Sequence, residues 1–404
     1  MNIAVITSGY LPVPSVKGGA VETIVNNLIK KNEEYNKAYF TIFSIYDKKA
    51  CEESKKLKNT EVVFIKKSKI VNCFDKMIFF IAKYILKKEK VMSYRYILQR
   101  LYFLRKVSSF LKKNDYDKVL LENHATLFLA LKFRKNYKKY DGRYYYHLHN
   151  EVTAMYGCKK IMEKTKKILC VSNYIKENII KKLNIDSNKV IKLENCIDTS
   201  KFCKTMTTEE KKYLKMKYSI KEEDQILLFT GRFIKEKGIR ELLEAISTIN
   251  RNNIKLLVVG SFFFDTDIKS NFEMKIKSYV ENMKNQVIFT GYIPYEEINK
   301  IYEIADIAVI PSMWEDPAPL TIIEAMSSGL PIITTNSGGI PEYAKNGCAI
   351  ILERNENIVH NLKKSIEDLL DNSAKRKNMA QISKKNSEML NLDNFYFNFI
   401  KMLE

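Results

Sequence analysis

Several things are missing from this chain, and each absence narrows its class. No apolar run approaches the roughly 18 residues needed to span a bilayer. The longest, MIFFIAKYIL, is interrupted by Lys83. The N-terminal stretch MNIAVITSGYLPVP has no basic head before its apolar run, so it does not read as a secretory leader. The seven cysteines (51, 73, 158, 170, 196, 203, 348) are odd in number, scattered and never spaced CxxC. That pattern argues against a disulfide framework and fits a reduced, cytoplasmic setting. The chain has four histidines. His147 and His149 form its HxH pair with no third ligand beside them, so no metal site is expected. There is no internal repeat, no low-complexity linker and no Walker-type phosphate loop.

What is present is a lopsided charge. The 404 residues carry 68 Lys+Arg against 47 Asp+Glu, a net +21. All of the excess lies in residues 1–198, with 40 basic and 19 acidic side chains; the remainder has 28 of each. A general preference for lysine would charge both halves, so the first half is expected to face something anionic.

Short β-branched apolar runs alternate with amphipathic stretches. NIAVIT (2–7), AYFTIFSI (38–45), EVVFIK (61–66), DKVLLE (117–122), RYYYHL (143–148), KKILCV (166–171) and KVIKLE (189–194) read as strands. After a polar, Lys-rich seam near 198–222 the alternation restarts with QILLFT (225–230), IKLLVVG (254–260), QVIFT (286–290), DIAVI (306–310) and PIITT (331–335). Continuous apolar strands separated by helices indicate α/β architecture with parallel sheets covered on both faces. Two such series predict two doubly wound domains, 1–198 and 199–385, with residues 386–404 forming a helix that returns to the first. In such sheets ligands bind beyond the carboxyl ends of the strands, and with two domains the cleft between them is the expected site.

Four stretches stand at those ends. In TGRFIKEKG (230–238) Gly231 allows a tight turn and brings Arg232 and Lys237 into one loop before a helix, a combination that suits a diphosphate. Taken alone, the pair reads equally well as two solvated surface cations. In SMWEDPAPLTIIEAMSSGLP (312–331) Asp316 falls in a proline-held loop, and Glu324 lies near the first turn of a helix that begins at about Leu320. Acids there can complement the helix dipole, yet an acid within LTIIEAM needs a partner once buried. In SVKGGAVETIVNNL (15–28) Gly18 and Gly19 allow close backbone approach to a ligand, or simply a tight turn. In YYYHLHNE (144–151) His147 and His149 are expected on opposite faces of their strand. His149, nearer its end, is read either as a catalytic group that hydrogen-bonds substrate or acts as an acid or base, or as a structural histidine.

In this order the stretches resemble the family-4 glycosyltransferases of the GT-B fold, over nearly the whole chain and most clearly from GRFIKEKG to NSGGIPE (231–342). LPVPSVKGGAVE and HNE resemble the bacterial branch that builds cell-surface or spore-coat glycans. The resemblance implies a retaining transfer from a nucleotide-sugar, with a UDP-sugar as donor and no metal or other cofactor. It assigns Arg232 and Lys237 to the donor diphosphate, Glu324 to the ribose hydroxyls and Asp316 to hydroxyls of the transferred sugar. The segment from Ala318 through Leu320 and Thr321 would offer backbone N–H groups to sugar and phosphates. Gly231 belongs to the diphosphate loop, Gly291 and Ile293 flank the base, Gly18 and Gly19 match the family's glycine loop, and His149 contacts the donor sugar. Two departures stand out. Asp316 replaces the usual Glu, with Glu315 beside it as an alternative, and Pro319 replaces a usual Gly.

The acceptor side is expected in the basic half. Between Lys76 and Lys113 lie eleven basic residues and one acid, Glu89. Phe74, Met77, Ile78, Ile81 and Ile85, then Ile97, Leu98, Leu101, Leu104, Val107 and Leu111, recur at helical spacing. These helices either pack on the sheet with solvated lysines outward, or present a surface to an anionic membrane or a lipid-linked glycan, which would make the protein peripheral at the inner face of the cell membrane. A nucleic-acid-binding protein is a competing class for a chain of pI near 9.4, but the neutral second half and the diphosphate motif speak against it. Another enzyme of the same fold, an epimerase or an inverting transferase, would share these motifs.

Overall fold

The computed structural model describes residues 1–86, 95–203, 205–260, 272, 276, 279–281, 283, 285–291 and 293–404. Lys87, Lys88, Glu89 and Lys90 of the basic stretch lie outside the described residues, as does Tyr292 between Gly291 and Ile293.

The chain divides into two compact units, Met1–Glu194 with Leu392–Glu404, and Asn195–Asn391. The first contains a parallel sheet of β1 (Asn2–Ile6), β2 (Tyr39–Ile45), β3 (Thr60–Ile65), β4 (Lys118–Glu122), β5 (Tyr144–Leu148), β6 (Lys167–Cys170) and β7 (Val190–Lys192), in the order β3-β2-β1-β4-β5-β6-β7. The second contains β8 (Gln225–Thr230), β9 (Ile254–Val259), β10 (Val287–Gly291), β11 (Ile307–Ile310), β12 (Ile332–Thr335) and β13 (Ala349–Leu352), in the order β10-β9-β8-β11-β12-β13. Every pairing is parallel. The strands are continuous apolar runs because both faces are covered: Ile3, Ala4, Ile6, Leu120, Leu227, Leu256, Val309 and Ile333 are all fully buried. The order reverses between β1 and β4 and again between β8 and β11. Those switch points, at the carboxyl ends of the strands, are where this topology places ligands.

The expected seam at 198 falls slightly earlier, because the chain joins the second unit at Asn195. There the Asn195 backbone N–H donates to the Tyr343 hydroxyl at 2.9 Å, and its side chain donates to the Ala318 carbonyl at 3.0 Å. The return likewise begins at Leu392 rather than 386, since Asn386 donates to the Lys345 carbonyl and Leu390 accepts from Ile197 within the second unit. The returning helix Leu392–Leu403 then buries Phe395, Tyr396 and Phe399 in the first unit, where the Tyr396 hydroxyl donates to Asn32 Oδ1 at 2.7 Å. Strand β13 was not among the expected strands; its AIIL segment is short and only half-buried.

The first four α-helices of the first unit are α1 (Ala20–Tyr35), α2 (Lys48–Ser54), α3 (Lys69–Phe80, continuing as a π-helical turn to Ile85) and α4 (Ile97–Lys113). Helix α4 buries the later part of its expected stripe, Leu104, Val107 and Leu111, together with Phe103, while Leu98 and Leu101 are half-buried and Ile97 at its start is exposed. Helix α3 does not bury its stripe. Its Ile70, Phe74, Met77, Ile81 and Ile85, a stripe of spacing three and four, are exposed, Ile70 to 73% and Ile85 to 65%. Polar contacts tether it instead. Buried Asp75 accepts from the Leu98 and Gln99 backbone N–H groups, both at 2.9 Å, and so caps the start of α4. Gln99 in turn exchanges hydrogen bonds with the Ser68 backbone. No helix among the described residues is long and apolar enough to cross a membrane.

Candidate active site

In the second unit, β8 runs into a loop at Gly231, and a 3₁₀ turn over Lys235–Lys237 presents Lys237. Gly238 follows with φ +70°, and a Cβ there would lie 1.8 Å from the Pro311 carbonyl oxygen. Only glycine lets the β8 loop close on the β11 loop this tightly. A hydrogen bond from the Met313 N–H to the Glu236 carbonyl at 2.8 Å holds the two loops together. The closure sets Lys237 Nζ 2.6 Å from Asp316 Oδ2, with the Trp314 ring 5.9 Å from the same ammonium. Asp316 is buried and Arg232, in the same loop as Lys237, is exposed.

Glu315 is turned elsewhere. It accepts from Arg354 Nη2 and, at 2.6 Å, from the Gly338 N–H. Asp316 is therefore the acid that faces Lys237, and the spacing to Glu324 is the one counted from Asp316. Pro319 caps the helix Leu320–Ser327, whose first N–H groups, including those of Leu320 and Thr321, have no intrahelical acceptor. Glu324 is the fifth residue of that helix and so opens its second turn rather than lying in its first. A dipole role is weak there, because the effect fades within the first turn. Instead the Tyr302 hydroxyl donates to Glu324 Oε2 at 2.8 Å and lies 2.8 Å from Thr230 Oγ1, linking the helix to the end of β8. Burial raises the Glu324 carboxyl to about 7, with the Tyr302 hydrogen bond opposing. Gly291 ends β10 at φ +72° with open space where a Cβ would stand, and Ile293 is half-buried beyond it.

In the first unit, Gly18 and Gly19 take φ +71° and +102° and lead into α1. A Cβ on Gly18 would meet nothing, whereas one on Gly19 would lie 2.4 Å from Glu22 Oε2. Glu22 is buried and accepts from Ser8 Oγ at 2.7 Å, and burial raises its carboxyl. The histidines lie differently from expectation. Residues two apart on a strand share a face, because the side-chain period is two. His147 and His149 accordingly stand together with ring centroids 4.1 Å apart, both against Glu122 at the end of β4. His147 Nδ1 is 3.1 Å and His149 Nε2 3.2 Å from Glu122 Oε2.

The sequence reading that these histidines lack a third ligand is thereby overturned, since Glu122 completes a buried Glu–His–His group whose ligand atoms lie within 4.8 Å of one another. It came from a neighbouring strand, which local spacing cannot reveal. Hydrogen bonds to Glu122 join the trio, while His147 Nε2 is buried with no hydrogen-bond partner among the described residues. Burial alone would raise Glu122, but the two imidazoles hold it at about 2. Burial and then His147 push His149 down to about 4, against the Glu122 hydrogen bond. His149 is thus neutral, spends its Nε2–H on Glu122, and keeps Nδ1 as an acceptor. It is an oriented acceptor rather than a strong acid.

Two family models match the chain: glycosyl transferases group 1 over residues 210–386 and Glycosyltransferase Family 4 over residues 70–201. The chain belongs to the family-4 type of glycosyltransferase. This glycosyltransferase is similar to spore coat protein SA of Bacillus subtilis, 26% identical over 411 residues that cover 96% of this chain and 95% of that protein. It is 30% identical over 187 residues, 45% of this chain and 46% of the relative, to an Escherichia coli UDP-Gal:alpha-D-GlcNAc-diphosphoundecaprenol alpha-1,3-galactosyltransferase. The crystal structure of Anabaena HepE with UDP-glucose superposes with TM-score 0.73 at 14% identity, covering 100% of this chain and 99% of that one. That likeness establishes the GT-B fold of paired parallel α/β domains. Sequence reasoning missed Tyr302, Glu122, Glu22 and Arg354. Tyr302, Glu122 and Arg354 each hold a motif residue or its neighbour from a distant element and have no sequence signature of their own, while Glu22 stands within the glycine stretch and accepts from Ser8.

Proposed function

We propose that this glycosyltransferase moves a sugar from a UDP-sugar to a hydroxyl of a glycan or lipid-linked acceptor, with retention of configuration and without a metal. The observation that carries the reading is the pairing of Lys237 with buried Asp316 at 2.6 Å, with Glu324 buried eight residues further on. Lys237 and Arg232 take the diphosphate, Glu324 the ribose hydroxyls and Asp316 the sugar hydroxyls. Gly231, Gly291 and Ile293 line the nucleotide, and the N–H groups of Leu320 and Thr321 lie along the phosphates. In the first unit Gly18 offers open backbone, Gly19 lets the chain pass close to Glu22, and His149 offers Nδ1 to sugar hydroxyls. The name of the E. coli relative, which specifies UDP-Gal and a diphospholipid-linked acceptor, supports the donor and acceptor classes.

Departure of the nucleoside diphosphate places negative charge on its phosphates. Lys237, Arg232 and the helix N–H groups stabilise that charge, an effect worth about 2.7–4 kcal/mol for a single well-placed donor. The sugar carbon becomes oxocarbenium-like. Asp316 is engaged by Lys237 and is no free nucleophile, so the acceptor oxygen attacks from the face the phosphate is leaving and gives its proton to a phosphate oxygen. The test is incubation of the purified chain with a panel of nucleotide-sugars, following free nucleotide and the product anomer by NMR. UDP release that is insensitive to EDTA and a retained anomer are expected. Release from no nucleotide-sugar, or an inverted product, would sink the proposal.

The site of work is an anionic membrane surface. The exposed apolar stripe of α3 is flanked by Lys66, Lys67, Lys69 and Lys76, all exposed. An apolar face with a basic border suits shallow insertion among anionic headgroups, each cation contributing about 1 kcal/mol.

A further inference from the structure

At the carboxyl ends of β1, β2 and β3 a cavity of about 60 Å³ opens beneath α4. A single water needs about 10–15 Å³ on this scale, so the space suits several waters or one phosphoryl group. Lys66 and Lys67, directly after β3, line it together with Tyr96, Tyr102, Gln99 and Arg100, and no acid does. Lys66 Nζ lies 5.1 Å from the Tyr46 ring centroid and Lys67 Nζ 5.2 Å from that of Tyr96, so both ammonium groups rest on aromatic faces.

Arg100 is the unusual member. It is only 7% exposed, and its Nε donates to Thr126 Oγ1 at 2.6 Å. Its two terminal nitrogens are buried and have no hydrogen-bond partner among the described residues. Its guanidinium sits 4.3 Å from the centroid of the Tyr10 ring, itself half exposed. Burial pushes the guanidinium pKa down, and the groups that oppose this are the Tyr10 phenol, which approaches the guanidinium without meeting hydrogen-bond geometry, and Tyr156, with no carboxylate among them. A buried cation without a counter-charge is a liability in a resting fold, since burying a charge is costly unless it is paired. It becomes an asset where an anion arrives during the working cycle. The planar fork of a guanidinium suits a phosphate oxyanion, and the aromatic floor leaves that charge unscreened.

We propose that this Arg100 cavity binds a phosphoryl group of the acceptor, with Lys66 and Lys67 completing the charge and Tyr10 as a side chain that turns aside to admit it. This rests on the glycosyltransferase reading for the word acceptor only; the anion site stands on its own geometry. The phosphoryl group belongs either to a lipid-linked diphosphate or to a soluble phosphorylated glycan.

Calorimetry with sodium pyrophosphate on the full chain carrying Arg232→Ala and Lys237→Ala tests it, because those changes remove the cations assigned to the donor. One anion site should remain. Adding Arg100→Gln should weaken it by about tenfold to a hundredfold, the loss expected for charge-assisted hydrogen bonds. Adding Lys66→Gln with Lys67→Gln, both at exposed positions, should weaken it by about threefold to tenfold. This pair keeps the test alive if Arg100→Gln fails to fold. Thermal unfolding of Arg100→Met should show no loss of stability, whereas a merely packing arginine would lower the midpoint and leave pyrophosphate binding intact. No remaining site, or equal affinity with and without Arg100, overturns the proposal. Farnesyl diphosphate binding about tenfold tighter than pyrophosphate assigns the group to a lipid-linked acceptor, and equal affinities assign it to a soluble one. The donor reading is checked separately: the wild-type chain should take up one more pyrophosphate than the Arg232→Ala/Lys237→Ala chain.

Discussion

Glu122 is the last residue of β4 and Glu324 lies on the helix that follows β11, so each belongs to the strand after the switch point of its sheet. Both are buried. Their charge states nevertheless diverge. Two imidazole N–H groups hold Glu122 ionised at about 2, while Glu324 has a single phenol and rises to about 7. Lys237, in the second unit, pairs with Asp316 and makes no contribution to the Glu324 shift. The comparison shows that depth and topology do not set the charge of a buried carboxyl; the count and kind of its donors do. It also suggests what each is for. Glu122 is satisfied by two imidazoles and holds His149 in place, whereas Glu324 has only the Tyr302 hydroxyl, which leaves it able to accept the ribose hydroxyls of the proposed donor.

The largest expected effect comes from the cation of the second unit, which leaves Glu324 to its phenol and pairs with Asp316 instead. Lys237→Ala should cut turnover at least about 100-fold while circular dichroism and the unfolding midpoint show a folded chain. Turnover near wild type would remove Lys237 from the diphosphate role. Next in size is Glu122→Gln. The amide keeps the shape but turns a donor toward imidazole N–H groups, and stability should drop by about 2–3 kcal/mol in urea unfolding at pH 7. A neutral result would mean that the trio is not held as described.

Glu324→Gln should act in the opposite direction. The folded Glu324 carboxyl, at about 7, lies above its usual 4.5, so its contribution to stability is full below pH 4.5 and is lost as pH rises through 7. The loss is of the order of 3 kcal/mol at most. Glu324→Gln should therefore be about 1–2 kcal/mol more stable than wild type at pH 8 and gain nothing at pH 5. It should also bind UDP more weakly by calorimetry, and unchanged UDP affinity would contradict the ribose role. His149, lowered to about 4, and Glu122 contribute in the reverse sense, with stability full above their unfolded values and lost on acidification. Acid should thus loosen the first unit as it favours Glu324, which hydrogen exchange at pH 4 and pH 7 can resolve by unit.

The smallest effect on stability is expected at α3. Replacing Phe74, Met77, Ile81 and Ile85 by serine should each change stability by no more than about 0.5 kcal/mol, since these side chains are exposed. Co-sedimentation with anionic vesicles should nevertheless fall clearly for the set. Equal sedimentation of wild type with anionic and neutral vesicles at low salt would leave this stripe without a membrane role.

Much of this was written in the sequence. Apolar β-branched runs at regular intervals determined the two parallel sheets, because a strand covered on both faces has no choice but to be apolar throughout. The spacing of Arg232, Lys237, Asp316 and Glu324 likewise followed from where strands end and helices begin. Tertiary structure decided the rest. Asp316 was separated from Glu315 only by the arrival of Arg354 and Gly338 from later loops. Glu122 joined His147 and His149 only because β4 pairs with β5. Helices α3 and α4 carry similar apolar stripes, yet one stripe is buried and the other is bare, because Asp75 and Gln99 tie α3 by its polar side. A residue pattern states which side chains share a face. Which face finds a partner, and so which buried group keeps its charge, depends on elements far away in the chain.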